Sequence, residues 1–373
     1  MSAGRVRLLP KPALDVLLAH LWRLGYRVLG PVVRGGGVVF DEVRLTSDMP
    51  VGLRDEQQPG SYRLVPGADG EVFGIVNGPG SLKPSFFAPE ETLVEVKRQK
   101  RGFTVTDVEP MTPRVAVIGV RACDLAALLI QDRVFLGGRF PDSHYGARRR
   151  DAFLIAVDCT RSAATCFCAS MGTGPGATAG YDLALTETAE GFLLRSGSDA
   201  GESLVAELDL APSEAEAVAA ARARVDACAA GMTRRLETAD LPRLLYDEAE
   251  HLRWEQVAQR CLSCTNCTMV CPTCFCHTVV DVAEIDGNMS RRVRRWDSCF
   301  SLEHARIHGI NFRPKTAHRY RQWLTHKLAS WIDQFGTSGC VGCGRCITWC
   351  PVGIDLTEEV AAIRATRAHQ GAG

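Results

Sequence analysis

Sixteen of the 373 residues are cysteines, and eight of them stand in two copies of one pattern. The first copy reads Cys261-Leu-Ser-Cys264-Thr-Asn-Cys267-Thr-Met-Val-Cys271-Pro272. The second reads Cys340-Val-Gly-Cys343-Gly-Arg-Cys346-Ile-Thr-Trp-Cys350-Pro351. Both have the spacing C-x2-C-x2-C-x3-C-P. Three thiolates two residues apart let one loop wrap three irons of a [4Fe–4S] cube. The fourth leaves on the outgoing chain and, in two-cluster proteins, ligates the other cube. This rule assigns Cys261, Cys264, Cys267 and Cys350 to one cluster, and Cys340, Cys343, Cys346 and Cys271 to the second. The alternative is a pair of zinc sites with four thiolates each. The chemistry that the pattern favours is one-electron transfer.

Four more cysteines suggest a third [4Fe–4S] cluster. Cys123 follows the apolar run Val115–Val120, and Cys159 follows the apolar run Phe153–Val157, with a helical pattern through Leu125, Leu128, Leu129 and Ile130 between them. Strand, helix, strand predicts a parallel crossover, which sets both cysteines at one sheet edge, where open α/β sheets take ligands. Cys166 and Cys168, in Thr165-Cys-Phe-Cys168, are near enough in sequence to join them. Zinc or scattered buried thiols are the alternatives. The expectation is an exposed entry or exit cluster on the crossover side. Cys274, Cys276 and Cys299 are left over: an extra site, or packing around the cubes. Cys228 stands alone in an Ala-rich helical stretch, Glu214–Met232, and reads as a small buried hydrophobe.

Other motifs are weaker. Gly172-Thr-Gly174-Pro-Gly176 follows no strand and contains Pro175, so it reads as a turn and not a phosphate loop. From Arg291 to Lys327 the chain has ten Lys or Arg against Asp297 and Glu303, interleaved with aromatics. That mix fits a solvated basic face, or cations that favour a cube's reduced state and dock an acidic partner, better than a nucleic-acid site. Lys83 reads as a solvated or salt-bridged lysine, with a role near a cofactor as the alternative. Gly339, Gly342 and Gly344 let backbone N–H groups turn toward cluster sulfurs. No Ser, His or Asp arrangement suggests a nucleophile or acid–base pair, so no catalytic residue is expected.

The elements that must position these residues follow from patterning. Leu14, Leu17, Leu18, Leu21 and Leu24 predict a core-facing helix over 11–24 within an amphipathic N-terminal segment. Tyr26–Val33 and Val38–Val43 predict a hairpin. Tyr181–Leu185 and Gly191–Arg195 predict another, lying over the sheet, and Leu241–Arg260 a bridging helix. The fold class expected is an α/β N-terminal domain (1–240) plus an α-helical two-cluster ferredoxin-like C-terminal domain (241–373) with a long helical insert between the two motifs. Lys plus Arg number 43, as do Asp plus Glu, so no global charge suggests a nucleic-acid or membrane-surface partner. No apolar run is long enough for a transmembrane helix. Clustered cysteines with no signal-peptide pattern suggest metal ligation in a reducing cytoplasm.

Several stretches together carry a resemblance: Lys83 to Leu93, Gly119-Val-Arg-Ala-Cys-Asp124, Thr165 to Cys168, Cys261 to Cys276, Trp296 to Cys299, and Cys340 to Asp355. The chain resembles the beta subunit of cytoplasmic NAD(P)-linked [NiFe] hydrogenases, the sulfhydrogenases, and is equally similar to the A-type subunit of anaerobic sulfite reductase. The resemblance implies a relay subunit without a substrate site. Its partners would be a diaphorase subunit that bears flavin and a [2Fe–2S] cluster, together with the small and large hydrogenase subunits or a sulfite reductase catalytic subunit. A zinc-stabilised interaction protein is the rival from another class.

Overall fold

The computed structural model describes residues 6–110 and 112–370. The first residues of the expected amphipathic N-terminal segment lie outside them. Strand β1 (Arg7–Pro10) leads into the helix Ala13–Arg23, whose Leu14, Leu17, Leu18 and Leu21 are all buried. Gly25 follows at φ 82°, the left-handed conformation that ends many helices. Then come the hairpin β2 (Arg27–Arg34) and β3 (Gly37–Glu42), a second hairpin of β4 (Leu53–Gln58) and β5 (Ser61–Pro66), and the pair β6 (Glu90–Arg98) and β7 (Phe103–Asp107). Strand β8 (Val115–Arg121), the helix Ala122–Phe135 and β9 (Phe153–Val157) form the crossover, followed by β10 (Leu183–Glu187) and β11 (Gly191–Ser196).

The main sheet has the order β1-β11-β10-β9-β8-β2-β3. Its four central strands β10, β9, β8 and β2 pair in parallel, as expected for strands without polar alternation. Ala116 and Ile118 of β8 face the core that contains the helix Ala13–Arg23, and Val117 faces the other core, beneath the helix Ala122–Phe135. Gly119 then breaks the alternation. Its φ is 86°, the β8–β9 register shifts between Ile118 and Val120, and Val120 joins the Val117 side. A β-bulge of this kind re-aims the residues after it, here Arg121, Ala122 and Cys123. Only glycine fits, since a Cβ would stand 2.9 Å from the Pro31 ring.

Three expectations are corrected. The segment Tyr181–Arg195 does not lie over the sheet but supplies two of its strands, with β10 parallel to β9. The bridge Leu241–Arg260 is two short helices, Leu241–Asp247 and Arg253–Ala258. The insert between the cysteine motifs is helical only in its second half. Its first half is the hairpin β12 (His277–Ala283) and β13 (Met289–Trp296), which pairs with β6 and β7 in a four-stranded sheet. Val279, Val280, Val282 and Val293 carry β-branched side chains suited to that hairpin. This sheet joins strands from both sides of residue 240. The helix Thr316–Thr325 then continues into a π-helical turn, His326–Ser330, and the helix Trp331–Phe335. A final helix, Leu356–Gln370, comes after the second cysteine motif. No helix among the described residues is long and apolar enough to cross a membrane.

Candidate metal centre

The two cysteine loops have one backbone. Ser263 and Thr265 in the first stand at φ 50° and 70°, and Gly342 and Gly344 in the second stand at 64° and 77°. These left-handed residues curl each loop so that its cysteines face inward, and a short helix follows, Asn266–Met269 or Arg345–Thr348. Of the three glycines expected to turn an N–H toward sulfur, Gly342 does so, donating to Cys340 Sγ at 3.4 Å, whereas Gly339 donates to Lys327 O at 2.8 Å; Ser263 donates to Cys261 Sγ at 3.5 Å and Ile354 to Cys350 Sγ at 3.3 Å.

The fourth cysteines cross over. Cys261, Cys264, Cys267 and Cys350 line one cavity with the aromatic rings of Phe300, Tyr320 and Trp323, and Cys346 reaches its wall. The thiols that act on Cys346 are those of Cys340, Cys343 and Cys271. Four thiols, apolar walls and N–H groups aimed at sulfur fit a [4Fe–4S] cube at each place. Among the described residues no three His, Cys, Asp or Glu side chains converge on the position of a single metal ion.

Two lysines are not the surface residues that their charge suggests. Lys327 lies within the basic stretch, yet it is buried on the π-helical turn. Its Nζ donates to Cys271 Sγ at 3.2 Å, Cys274 Sγ at 3.5 Å and Gly339 O at 3.2 Å. Burial opposes its charge, but the Cys271 and Cys274 sulfurs beside it outweigh that and hold the ammonium well above the usual lysine range. Cys271 in turn is held well below the usual thiol range, by a hydrogen bond from Cys274 first and then by Lys327. Lys83 is not solvated either. Its Nζ bonds Thr268 O at 3.2 Å and lies 3.9 Å over the Trp296 ring.

Cys123, Cys159, Cys166 and Cys168 do come together, at the carboxyl ends of β8 and β9. The expected exposure is wrong: Cys123, Cys166 and Cys168 are buried, and Cys343 of the second loop is packed into the same cluster. Phe167 N donates to Gly342 O at 2.8 Å. A Cβ on Gly342 would stand 2.6 Å from Cys168 N, and one on Gly344 would stand 2.4 Å from Thr165 O. Arg345 and Asp124, each 1% exposed, form a bidentate pair at 2.8 and 2.9 Å that joins the two groups. Cys228 is buried as expected of a small hydrophobe, and it packs into this same group as a fifth thiol, where it acts on Cys168. Its helix is remote in sequence, so no spacing could have found it. Gly174 also has a use: a Cβ there would press on Cys168 Sγ at 3.1 Å. Burial pushes the Cys123 and Cys166 thiols well up and, with the Cys159 charge second, Cys168 up to about 12. Metal binding here must therefore release protons.

Cys274, Cys276 and Cys299 form a further group. Cys276 packs against the core that contains Cys299, His304 lies beside its thiol, and His304 Nδ1 lies 2.7 Å from Asp297 Oδ2. The rest of the basic stretch is largely neutralised. Arg291 pairs with Glu95 and Glu284, Arg292 with Asp281, Arg294 with Glu91 and Asp142, and Arg295 with Glu90. Those pairs mostly lace the four-stranded sheet together, which removes the charge a nucleic-acid reading needs.

Comparison with known proteins places this geometry. The family described as a 4Fe-4S dicluster domain matches residues 260–354. The sulfhydrogenase 2 subunit beta of Pyrococcus furiosus is 32% identical over 285 residues, 76% of this chain and 82% of that protein. No solved structure matches.

Proposed function

This chain belongs to the sulfhydrogenase beta-subunit family, and from that premise we propose that it relays electrons through [4Fe–4S] clusters. They pass between a diaphorase subunit, bearing flavin and a [2Fe–2S] cluster, and the catalytic subunits of a [NiFe] hydrogenase. Each bound cluster supplies a one-electron redox centre. Cys261, Cys264, Cys267 and Cys350 hold the first, and Cys271, Cys340, Cys343 and Cys346 the second. Cys123, Cys159, Cys166 and Cys168 hold a third. The chain's own work is to fix these groups in order and to bury the second and third. Cys264 is exposed, which suits the first cluster as the port to a partner. The Cys343 loop lies between the first group and the third, so the order is first, second, third.

The observation that carries this reading is the crossed grouping of Cys350 with the first loop and Cys271 with the second. Anaerobic EPR of Cys271→Ser and Cys350→Ser tests it. Each variant loses the signal of the cluster held by the opposite motif. Loss of only the home cluster overturns the assignment, and stoichiometric zinc without acid-labile sulfide overturns the relay. Affinity purification of the native complex, with identification of the attached subunits, tests the partners.

A further inference from the structure

One constellation is left unused by the relay: Cys274, Cys276, Cys299, His304 and Asp297. Its first segment, Thr273-Cys274-Phe275-Cys276, repeats the tetrapeptide Thr165-Cys166-Phe167-Cys168. The two copies are used alike. Thr165 and Thr273 are both fully buried. Both segments pack on the second cysteine loop, Thr165 against Gly344 and Thr273 through Oγ1 to Gly339 O at 2.6 Å. Each Phe enters an aromatic or apolar core, Phe275 packing on Trp331 and Phe335. Each Cys pair is thereby delivered to a buried group of further thiols.

The second copy meets a donor set of its own. Cys276 packs against the buried core that contains Cys299, and His304 lies beside its thiol. His304 Nδ1 lies 2.7 Å from Asp297 Oδ2. A carboxylate that orients a histidine in this way is the usual support of a metal-ligating imidazole. Three thiols and one imidazole make four ligands. They lie beside both cysteine loops, since Cys267 acts on Cys299 and Cys271 on Cys274. Among the described residues no three of these donors close on the position of a single metal ion.

We propose that Cys274, Cys276, Cys299 and His304 hold an additional [4Fe–4S] cluster, next to the first and second. The inference rests on the relay reading for its redox role, but not for its ligands. Lys327, in contact with both Cys271 and Cys274, then serves two neighbouring clusters at once.

The test uses the full chain, reconstituted anaerobically with iron and sulfide and assayed for iron, sulfide and zinc. Cys299→Ser lowers bound iron by about four atoms per chain, one cube, with the EPR signals of the two motif clusters retained. His304→Cys keeps the wild-type iron content and alters one EPR signal, because a thiolate replaces the imidazole. Cys166→Ser, run in parallel, reports on the third group alone. Iron unchanged in Cys299→Ser overturns this site, as does zinc bound there in the wild type. If Cys299→Ser fails to fold, His304→Cys decides: wild-type iron with every signal unchanged overturns the site. Zinc in place of iron throughout the chain sinks the relay instead, and unchanged iron in Cys166→Ser sinks only the third cluster.

Discussion

Ser263 and Thr265 in the first cysteine loop stand where Gly342 and Gly344 stand in the second, and Asn266 stands where Arg345 does. The backbone angles match to within about 15° (φ 50° and 70° against 64° and 77°), so the difference is not set by the loop itself. It comes from the neighbours. The first loop borders solvent: Cys264 is exposed, and Leu262 is 63% exposed. Side chains at its left-handed positions have room, and the chain bears the strain of holding them there. The second loop is enclosed between the Thr165–Cys168 segment, Lys327 and the main sheet. Glycine is needed there because the backbone of Thr165 and Cys168 occupies the space of any Cβ. The arginine is needed because Asp124 is buried opposite it. One motif is thus a surface terminus and the other an internal junction.

Breaking that junction gives the largest expected effect. Asp124→Ala leaves Arg345 buried without its partner, which destabilises the fold by about 3–5 kcal/mol. Chemical denaturation of the anaerobic protein measures it. The matching change in the first loop, Asn266→Ala, removes one exposed hydrogen bond to Trp349 O at 3.3 Å and stays within about 0.5 kcal/mol of the wild type. Equal effects from the two would refute the contrast.

Gly344→Ala comes next. It adds the left-handed penalty of about 1–2 kcal/mol to an overpacking penalty of about 1–3 kcal/mol against Thr165 O. The expected result is a lower Tm together with loss of iron from the second and third groups. Thr265→Ala in the first loop keeps both its iron and its Tm. Iron analysis with EPR separates the two loops.

Lys327→Met leaves the fold less perturbed and acts on charge. A unit charge about 4 Å from another interacts by about 4 kcal/mol at an effective dielectric of 20. Its loss therefore lowers the potential of the cluster that uses Cys271 by on the order of 100 mV. Redox titration with EPR detection is the measurement. The first cluster, whose cysteines Lys327 does not bond among the described residues, shifts far less. A uniform shift of both would mean that Lys327 acts through global structure.

Thr265→Gly is the smallest change and has the opposite sign. Relief of the left-handed penalty, about 1–2 kcal/mol, is partly offset by the greater freedom of the unfolded chain, about 0.4–1 kcal/mol. The first loop is stabilised by up to about 1 kcal/mol, readable as a small rise in Tm.

What the sequence determined by itself is local. Ligand spacing within each loop is a property of a few consecutive residues, so Cys261 to Cys267 and Cys340 to Cys346 are legible directly. So are β8 and β9, whose continuous apolar runs arise from burial on both faces, and hence the meeting of Cys123 and Cys159. Tertiary structure decided everything that depends on residues distant in sequence. The insert is not a helix throughout because its β-hairpin becomes a sheet only against β6, nearly two hundred residues earlier. Lys83 and Lys327 carry charge, which by itself points to the surface, yet buried sulfur and a tryptophan ring surround them. Cys228 and His304 have no motif, and only the packing of their elements brings them to other thiols. Sheet topology alone puts the third group at an exposed edge, but the second loop covers that edge. Spacing fixes which thiols one loop can present; only the fold decides what faces them, because that depends on which remote backbone fills the space beside the loop.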